Sequence, residues 1–124
     1  MESASEMFGR LPEDGFALIE CDELEGRRDG GDAPFILDIR LTADWEEERI
    51  PGSVHCQWAD VGRLADSGDL PRNRDIAVVC YVGQSSGQAA GMLRALGYRA
   101  YSLLDGFEHW KAKGLPIEGA SRVT

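Results

Sequence analysis

Ile76-Ala77-Val78-Val79-Cys80-Tyr81-Val82-Gly83-Gln84-Ser85-Ser86-Gly87 is the stretch on which the reading of this chain turns. Its first five residues are short, continuous and β-branched, the pattern of a strand buried on both faces. A glycine loop follows and runs straight into a helix. On that helix Ala89, Met92, Leu93 and Leu96 keep i, i+3, i+4, i+7 spacing, and Gly97 is a good stop.

Outward from this centre the chain alternates strand-like and helix-like pieces. Phe16-Ala17-Leu18-Ile19 is a short apolar run, and Cys21 to about Arg28 is helix-like. The breaker cluster Asp29-Gly30-Gly31-Asp32 precedes a second strand, Phe35 to Ile39. Thr42 or Asp44 is expected to cap a short helix running through Glu48, which Pro51-Gly52 ends. Ser53 to Cys56 reads as a third strand, Ala59–Leu64 as a small helix, and Asp66–Asn73 as a loop. Beyond Gly97, Arg99 to Leu103 is the fifth strand candidate. Gly106 to Lys113 is the last helix, stopped by Gly114 and Pro116. This alternation implies an α/β fold with a parallel sheet covered on both faces. The expected domain spans residues 15–119, with an acidic extension at 1–14 and a short tail at 120–124.

In an open parallel sheet, ligands sit outside the carboxyl ends of the strands. Cys80 ends the strongest central strand and therefore faces that crevice. The loop after it can curl so that successive backbone N–H groups point inward and form an anion nest. The helix N-terminus adds positive potential. A thiol held there is expected to ionise readily. Gly83 and Gly87 permit close backbone approach or a positive φ, and Ser85 and Ser86 can cap the helix and donate to an anion. These features predict a cysteine nucleophile in a compact anion-binding cup, with Tyr81, Val82, Gly83, Gln84, Ser85 and Ser86 around the substrate. The bland alternative is a core cysteine followed by a simple turn.

Composition narrows the partners. The 124 residues carry 13 Lys+Arg against 22 Asp+Glu, a formal charge of −9, in one ordinary domain's length. A surface of that sign repels phosphate backbones and anionic lipid, so neither nucleic acid nor membrane is expected as a partner. No apolar run approaches a membrane span, and the first 15 residues lack signal or transit character, so the cytoplasm is the expected location. The cations are 11 Arg and 2 Lys, a bias that suits high salt and that Arg-rich codon usage would also produce. Cys21, Cys56 and Cys80 form no disulfide framework, and no C-x-x-C or Cys/His cluster suggests a metal, so no cofactor is expected. Cys21, at the start of an outer-layer helix, reads as inert. Cys56 reads as a small buried hydrophobe, with a second thiol or resolving partner near the functional edge as the alternative. His55 reads as strand packing and His109 as surface or partner-facing. Trp58 and Tyr81 read as walls of a pocket mouth or as simple packing. Asp38, Arg40 and Glu46 read as a structural ion-pair cluster beneath the site.

With these residues in place, the chain resembles the rhodanese-like domain, the sulfurtransferase module. Cys80 and Gly83 match the Cys-x-x-Gly that opens that family's active loop. Asp38-Ile39-Arg40 resembles its Asp-x-Arg, with Trp45-Glu46 in the place of an aromatic or acidic pair. Arg49-Ile50-Pro51-Gly52-Ser53 resembles its His-Ile-Pro-Gly-Ala. Leu104 to Trp110, with Gly114-Leu115-Pro116, resembles its closing Gly-Gly-x-x-x-Trp and Gly-x-Pro. The resemblance runs from about Phe16 to Glu118. It implies a three-layer α/β fold with a central parallel sheet of about five strands, supported by Gly106 and Trp110. It also implies sulfur transfer from a small donor anion such as thiosulfate to cyanide or a thiol through a Cys80 persulfide. A protein acceptor, and a monomer or homodimer, are compatible with it. Three departures stand out: Ser85 where the loop commonly carries arginine, Arg49 for the histidine, and Asp105 for the first closing glycine. The missing arginine leaves donor preference open and keeps a non-catalytic binding, regulatory or sulfur-carrier module as the alternative. A phosphatase on the same fold needs an arginine six residues after the cysteine, where this chain has Ser86.

Overall fold

The computed structural model describes residues 17–119. The extension and tail expected at 1–14 and 120–124 lie outside the described residues. Five strands, β1 (Leu18–Ile19), β2 (Phe35–Asp38), β3 (Val54–His55), β4 (Asp75–Val79) and β5 (Arg99–Leu103), form one sheet in the order β1-β5-β4-β2-β3. Every neighbouring pair is parallel. The β-branched run of β4 occupies the centre, with Phe35 to Asp38 opposite Ile76 to Val79 on one side. On its other side Asp75 to Val78 face Arg99 to Ser102.

Because side chains alternate along a strand, β4 feeds two cores. Ile76 and Val78 pack with α3 (Val61–Ser67) and α4 (Gln84–Ala95), through Val61, Ala65, Ala89, Ala90 and Leu93. Ala77 and Val79 pack with α1 (Cys21–Arg27) and α5 (Gly106–Ala112), through Leu24, Phe107 and Trp110. Both faces are therefore covered, as the alternation of elements implies. Trp110 is fully buried and its indole N–H donates to the Pro116 carbonyl at 2.8 Å, which fixes the chain after α5. At the opposite end of the sheet from the site, Asp75 joins Arg99 of β5 and Arg27 of α1. Partial burial would raise its carboxyl, but the hydrogen bonds and charges of these two guanidiniums outweigh that and hold it below its ordinary value.

Three expectations need correction. The buried stripe of α4 is Ser86, Ala89, Ala90 and Leu93, whereas Met92 and Leu96 are exposed. The 3.6-residue period is as read, but the stripe begins on a serine that hydropathy does not count. Neither Thr42 nor Asp44 caps α2 (Thr42–Glu47), whose N-cap position is the extended Leu41 with no side-chain bond. Instead Thr42 accepts from the Gln57 amide and Asp44 accepts from the Tyr81 hydroxyl, so both tie neighbouring loops together. The helix expected at 59–64 is a 3-10 turn, Trp58–Asp60, that continues into α3 and ends at Ser67.

Candidate active site

Cys80 lies one residue beyond β4, at the carboxyl edge of the sheet, and is 4% exposed. The alternation of β4 turns its side chain toward the α3 and α4 side. There the Gly83 N–H donates to Sγ at 3.0 Å. Gly83 is the N-cap of α4 and sits at φ 98, a left-handed conformation that favours glycine. The loop thus folds back on the sulfur within three residues. Below the sulfur lies a chain of hydroxyls. Cys80 Sγ is 3.2 Å from Ser86 Oγ, and Ser86 Oγ is 2.7 Å from Ser102 Oγ. Ser102 in turn donates to the Gly83 carbonyl at 3.5 Å.

The loop is held from the other side by the first turn of α5. The Phe107 N–H donates to the Cys80 carbonyl at 2.8 Å, and the Glu108 N–H to the Tyr81 carbonyl at 3.0 Å. In a trans peptide, the carbonyl of one residue and the N–H of the next point in opposite directions. With these two carbonyls turned to α5, the N–H groups of Tyr81 and Val82 point away from it. The clamp therefore fixes the orientation of successive loop amides, which is what an anion nest requires. It also explains Gly106, since a Cβ there would lie 2.5 Å from the Tyr81 carbonyl oxygen and 2.7 Å from that of Cys80. Asp105, the N-cap of α5, stands at φ 61, so the position has a left-handed backbone that glycine meets most easily.

Of the residues expected around substrate, Tyr81, Val82, Gly83, Gln84, Ser85 and Ser86 all fall in the loop or the first turn of α4. Val82, Gln84 and Ser85 are exposed. Ser86 is fully buried beneath the sulfur, so it neither caps the helix nor faces an incoming anion. Neither Ser85 nor Ser86 is a cap, because the N-cap is Gly83 and no side chain bonds there. Gly87 is an ordinary residue inside α4 with open space beside its Cα, so neither reason given for a glycine holds there. The Tyr81 hydroxyl donates to Asp44 and accepts from the Leu41 N–H at 3.2 Å, which pins the loop to α2. Burial first, and the bond to Asp44 second, push this hydroxyl above its ordinary pKa.

Asp38 and Arg40 form the expected buried ion pair, with two Arg40 nitrogens on the carboxylate at 2.9–3.1 Å. Arg40 also donates to the Glu48 carbonyl at 2.7 Å and lies 3.9 Å over the Phe107 ring. Glu46 is not part of this cluster. It is exposed, and its main-chain carbonyl accepts from Arg49. The pair supports the loop through Phe107, and losing one partner of such a buried pair costs about 3–5 kcal/mol. His55 donates its Nε2–H to the Arg40 carbonyl at 2.7 Å and stacks on Trp45, consistent with packing. His109 is exposed, and Trp58 is 42% exposed. Burial pushes both the Cys21 and Cys56 thiols up. Among the described residues, no group of three or more His, Cys, Asp or Glu gathers as a metal site. None of their helices is long and apolar enough to cross a membrane.

Sequence reasoning missed Ser102, Asp44 as a partner of Tyr81, and the contact of Phe107 with Arg40. Ser102 is a lone small hydroxyl within β5 and does not disturb the strand pattern. The other two depend on loops meeting in space and leave no local pattern.

Comparison with known proteins bears on the same residues. The profile of the rhodanese-like domain matches residues 20–113. The chain is 35% identical over 89 residues to the thiosulfate sulfurtransferase GlpE of Actinobacillus succinogenes, covering 71% of this chain and 78% of that one. It is 27% identical over 113 residues to the putative sulfur carrier protein YrkF of Bacillus subtilis, covering 90% of this chain and 57% of that longer one. The rhodanese-like domain of the Anabaena protein Alr3790 superimposes with a TM-score of 0.75 at 30% identity, over 86% of this chain and 82% of that one.

Proposed function

The chain belongs to the rhodanese-like domain family, and from that premise we propose that it is a sulfurtransferase carrying sulfane sulfur as a persulfide on Cys80. The observation that carries the reading is the Gly83 N–H on Cys80 Sγ, in a loop whose carbonyls α5 turns outward. A thiolate there attacks the outer sulfur of thiosulfate. The S–S bond of the donor breaks, its electron pair leaves with sulfite, and a persulfide anion remains on Cys80. The loop N–H groups stabilise that anion. Cyanide or a thiolate then attacks the outer sulfur and returns the Cys80 thiolate. The cycle is covalent and in two steps, with ping-pong kinetics. The rigid loop and the neutral first turn of α4 leave binding of the donor to backbone N–H groups, with Gln84 and Ser85 at the mouth.

The similarity to a putative sulfur carrier supports a second reading, a rhodanese-like carrier or binding module that does not turn over thiosulfate. Mass spectrometry separates the two. After exposure to thiosulfate, the intact protein is expected to gain one sulfur, located on Cys80 and removed by cyanide. Cys80→Ser should show no gain and no turnover. A wild-type protein that takes up no sulfur would favour the binding module, and a fully active Cys80→Ser would remove Cys80 from the mechanism.

A further inference from the structure

Two hydroxyls lie where the core is otherwise apolar. Ser86 and Ser102 are 0% and 1% exposed, and they bond to each other at 2.7 Å between α4 and β5. A buried hydroxyl is costly unless bonded, and two alanines would fill the same space at no polar cost. The pair is placed at one special point, with Ser86 Oγ 3.2 Å from Cys80 Sγ and Ser102 against the Gly83 carbonyl.

We propose that Ser86 and Ser102 are positioning residues that follow the charge on Cys80 Sγ by rotating their hydroxyl protons. In the thiol state, Cys80 S–H donates to Ser86, Ser86 to Ser102, and Ser102 to the Gly83 carbonyl. When the thiol proton is lost to solvent, the Ser86 O–H turns onto the sulfur anion and Ser102 turns onto Ser86. In the persulfide the charge sits on the outer sulfur, so Ser86 can turn back to Ser102. No proton leaves either serine and no bond other than a hydrogen bond changes. The pair therefore serves the inner sulfur alone: as the attacking thiolate in the first half-reaction and as the leaving thiolate in the second. The backbone cup serves the outer sulfur. This inference rests on the sulfurtransferase reading above for its kinetic consequence, but its effect on the thiol does not.

The charged groups around the loop are Asp105 and Glu108 at the start of α5, Asp44 on Tyr81, and Arg40 beside Tyr81 and Phe107. The first turn of α4 has no acidic side chain. All of these groups stay in place in the variants, so a difference in pH profile reports the hydroxyls. The test compares wild type with Ser86→Ala, Ser102→Ala and Ser86→Thr, each checked for an unchanged circular dichroism spectrum. First, the rate of Cys80 alkylation by iodoacetamide is followed against pH. Its midpoint should rise by about one pH unit in Ser86→Ala, the shift expected for one lost hydrogen bond to an anion. It should rise by less in Ser102→Ala and return toward wild type in Ser86→Thr. Second, kcat/KM should fall about tenfold in Ser86→Ala for thiosulfate and for cyanide alike, since each reports its own half-reaction. Unchanged alkylation profiles in both alanine variants would overturn the proposal, as would a loss confined to thiosulfate. A wild-type protein inactive toward thiosulfate would sink the sulfurtransferase reading alone, and the alkylation profile would still decide the role of the serines.

Discussion

Asp105 holds φ 61, a conformation that no other non-glycine among the described residues adopts. For an L-residue this region costs roughly 1–2 kcal/mol, and Asp bears it better than most because its short side chain can bond locally. The amide of residue 105 also approaches Gly83, so the position sits directly behind the active loop. Replacing Asp105 by Ala should lower stability by about 1 kcal/mol. Asp105→Gly should stay within about 0.5 kcal/mol, because relief of strain offsets the entropy of an added glycine. The check is the order of melting temperatures: glycine and wild type together, alanine below them. An alanine variant as stable as wild type would show that the φ carries no cost. The sequence already marked position 105 as a departure from a glycine pair, but the reason is a backbone angle, which composition does not display. Cys80 was legible because strand, loop and helix signals converge on it. Ser102 was not, because a single hydroxyl inside Ala100-Tyr101-Ser102-Leu103 leaves the strand pattern intact.

Among the elements, α5 does the work that the loop motif alone conceals. The N–H groups of its second and third residues, Phe107 and Glu108, bind the carbonyls of Cys80 and Tyr81, satisfying two donors of the helix terminus and orienting the loop at once. That arrangement needs the two backbones in contact, and Gly106 is the residue that permits it. In Gly106→Ala, a Cβ 2.5 Å from the Tyr81 carbonyl oxygen meets backbone that cannot swing aside as a side chain would. The loop must move, and with it the amides that face the sulfur. Sulfur transfer should fall by about a hundredfold, the scale reported for a misplacement of about 1 Å, and the melting temperature should drop with it. Gly87→Ala is the internal control for stability. Open space surrounds that position in a helix interior, so alanine there should be neutral or stabilising by up to about 1 kcal/mol. Equal damage from both substitutions would refute the clamp. The order of the strands and α-helices followed from hydrophobic period and breakers, and the 3-10 turn at Trp58–Asp60 did not. What the period did not reveal was which face of α4 is buried, because that face starts on Ser86, a residue kept for its hydroxyl.

For the molecule as a whole, the charge of −9 opposes the chemistry proposed at its loop. Thiosulfate is a dianion, and no loop arginine meets it: Ser85 stands in that place. The cations near the loop are committed elsewhere, Arg40 to Asp38 and Lys111 to Glu48. Attraction therefore comes from oriented N–H groups and the α4 terminus, which act over a few ångströms, while repulsion by the surface acts over a Debye length. That length shrinks from about 30 Å at 0.01 M salt to about 8 Å at 0.15 M. The short-range attraction is little altered over this range, and the long-range repulsion is largely removed. kcat/KM for thiosulfate should accordingly rise about twofold or more as salt increases over that interval. kcat/KM for a thiol acceptor, which attacks as a singly charged thiolate, should rise less than that for the dianion. A basic residue introduced by Ser85→Arg should raise the low-salt value and flatten the salt dependence, because it restores a positive side chain at the mouth. Steady-state kinetics across this salt series, with both substrates, provides the measurement. A thiosulfate kcat/KM that falls as salt is added would mean that the donor is drawn in by a positive field, and the account of a neutral cup on an acidic surface would be wrong.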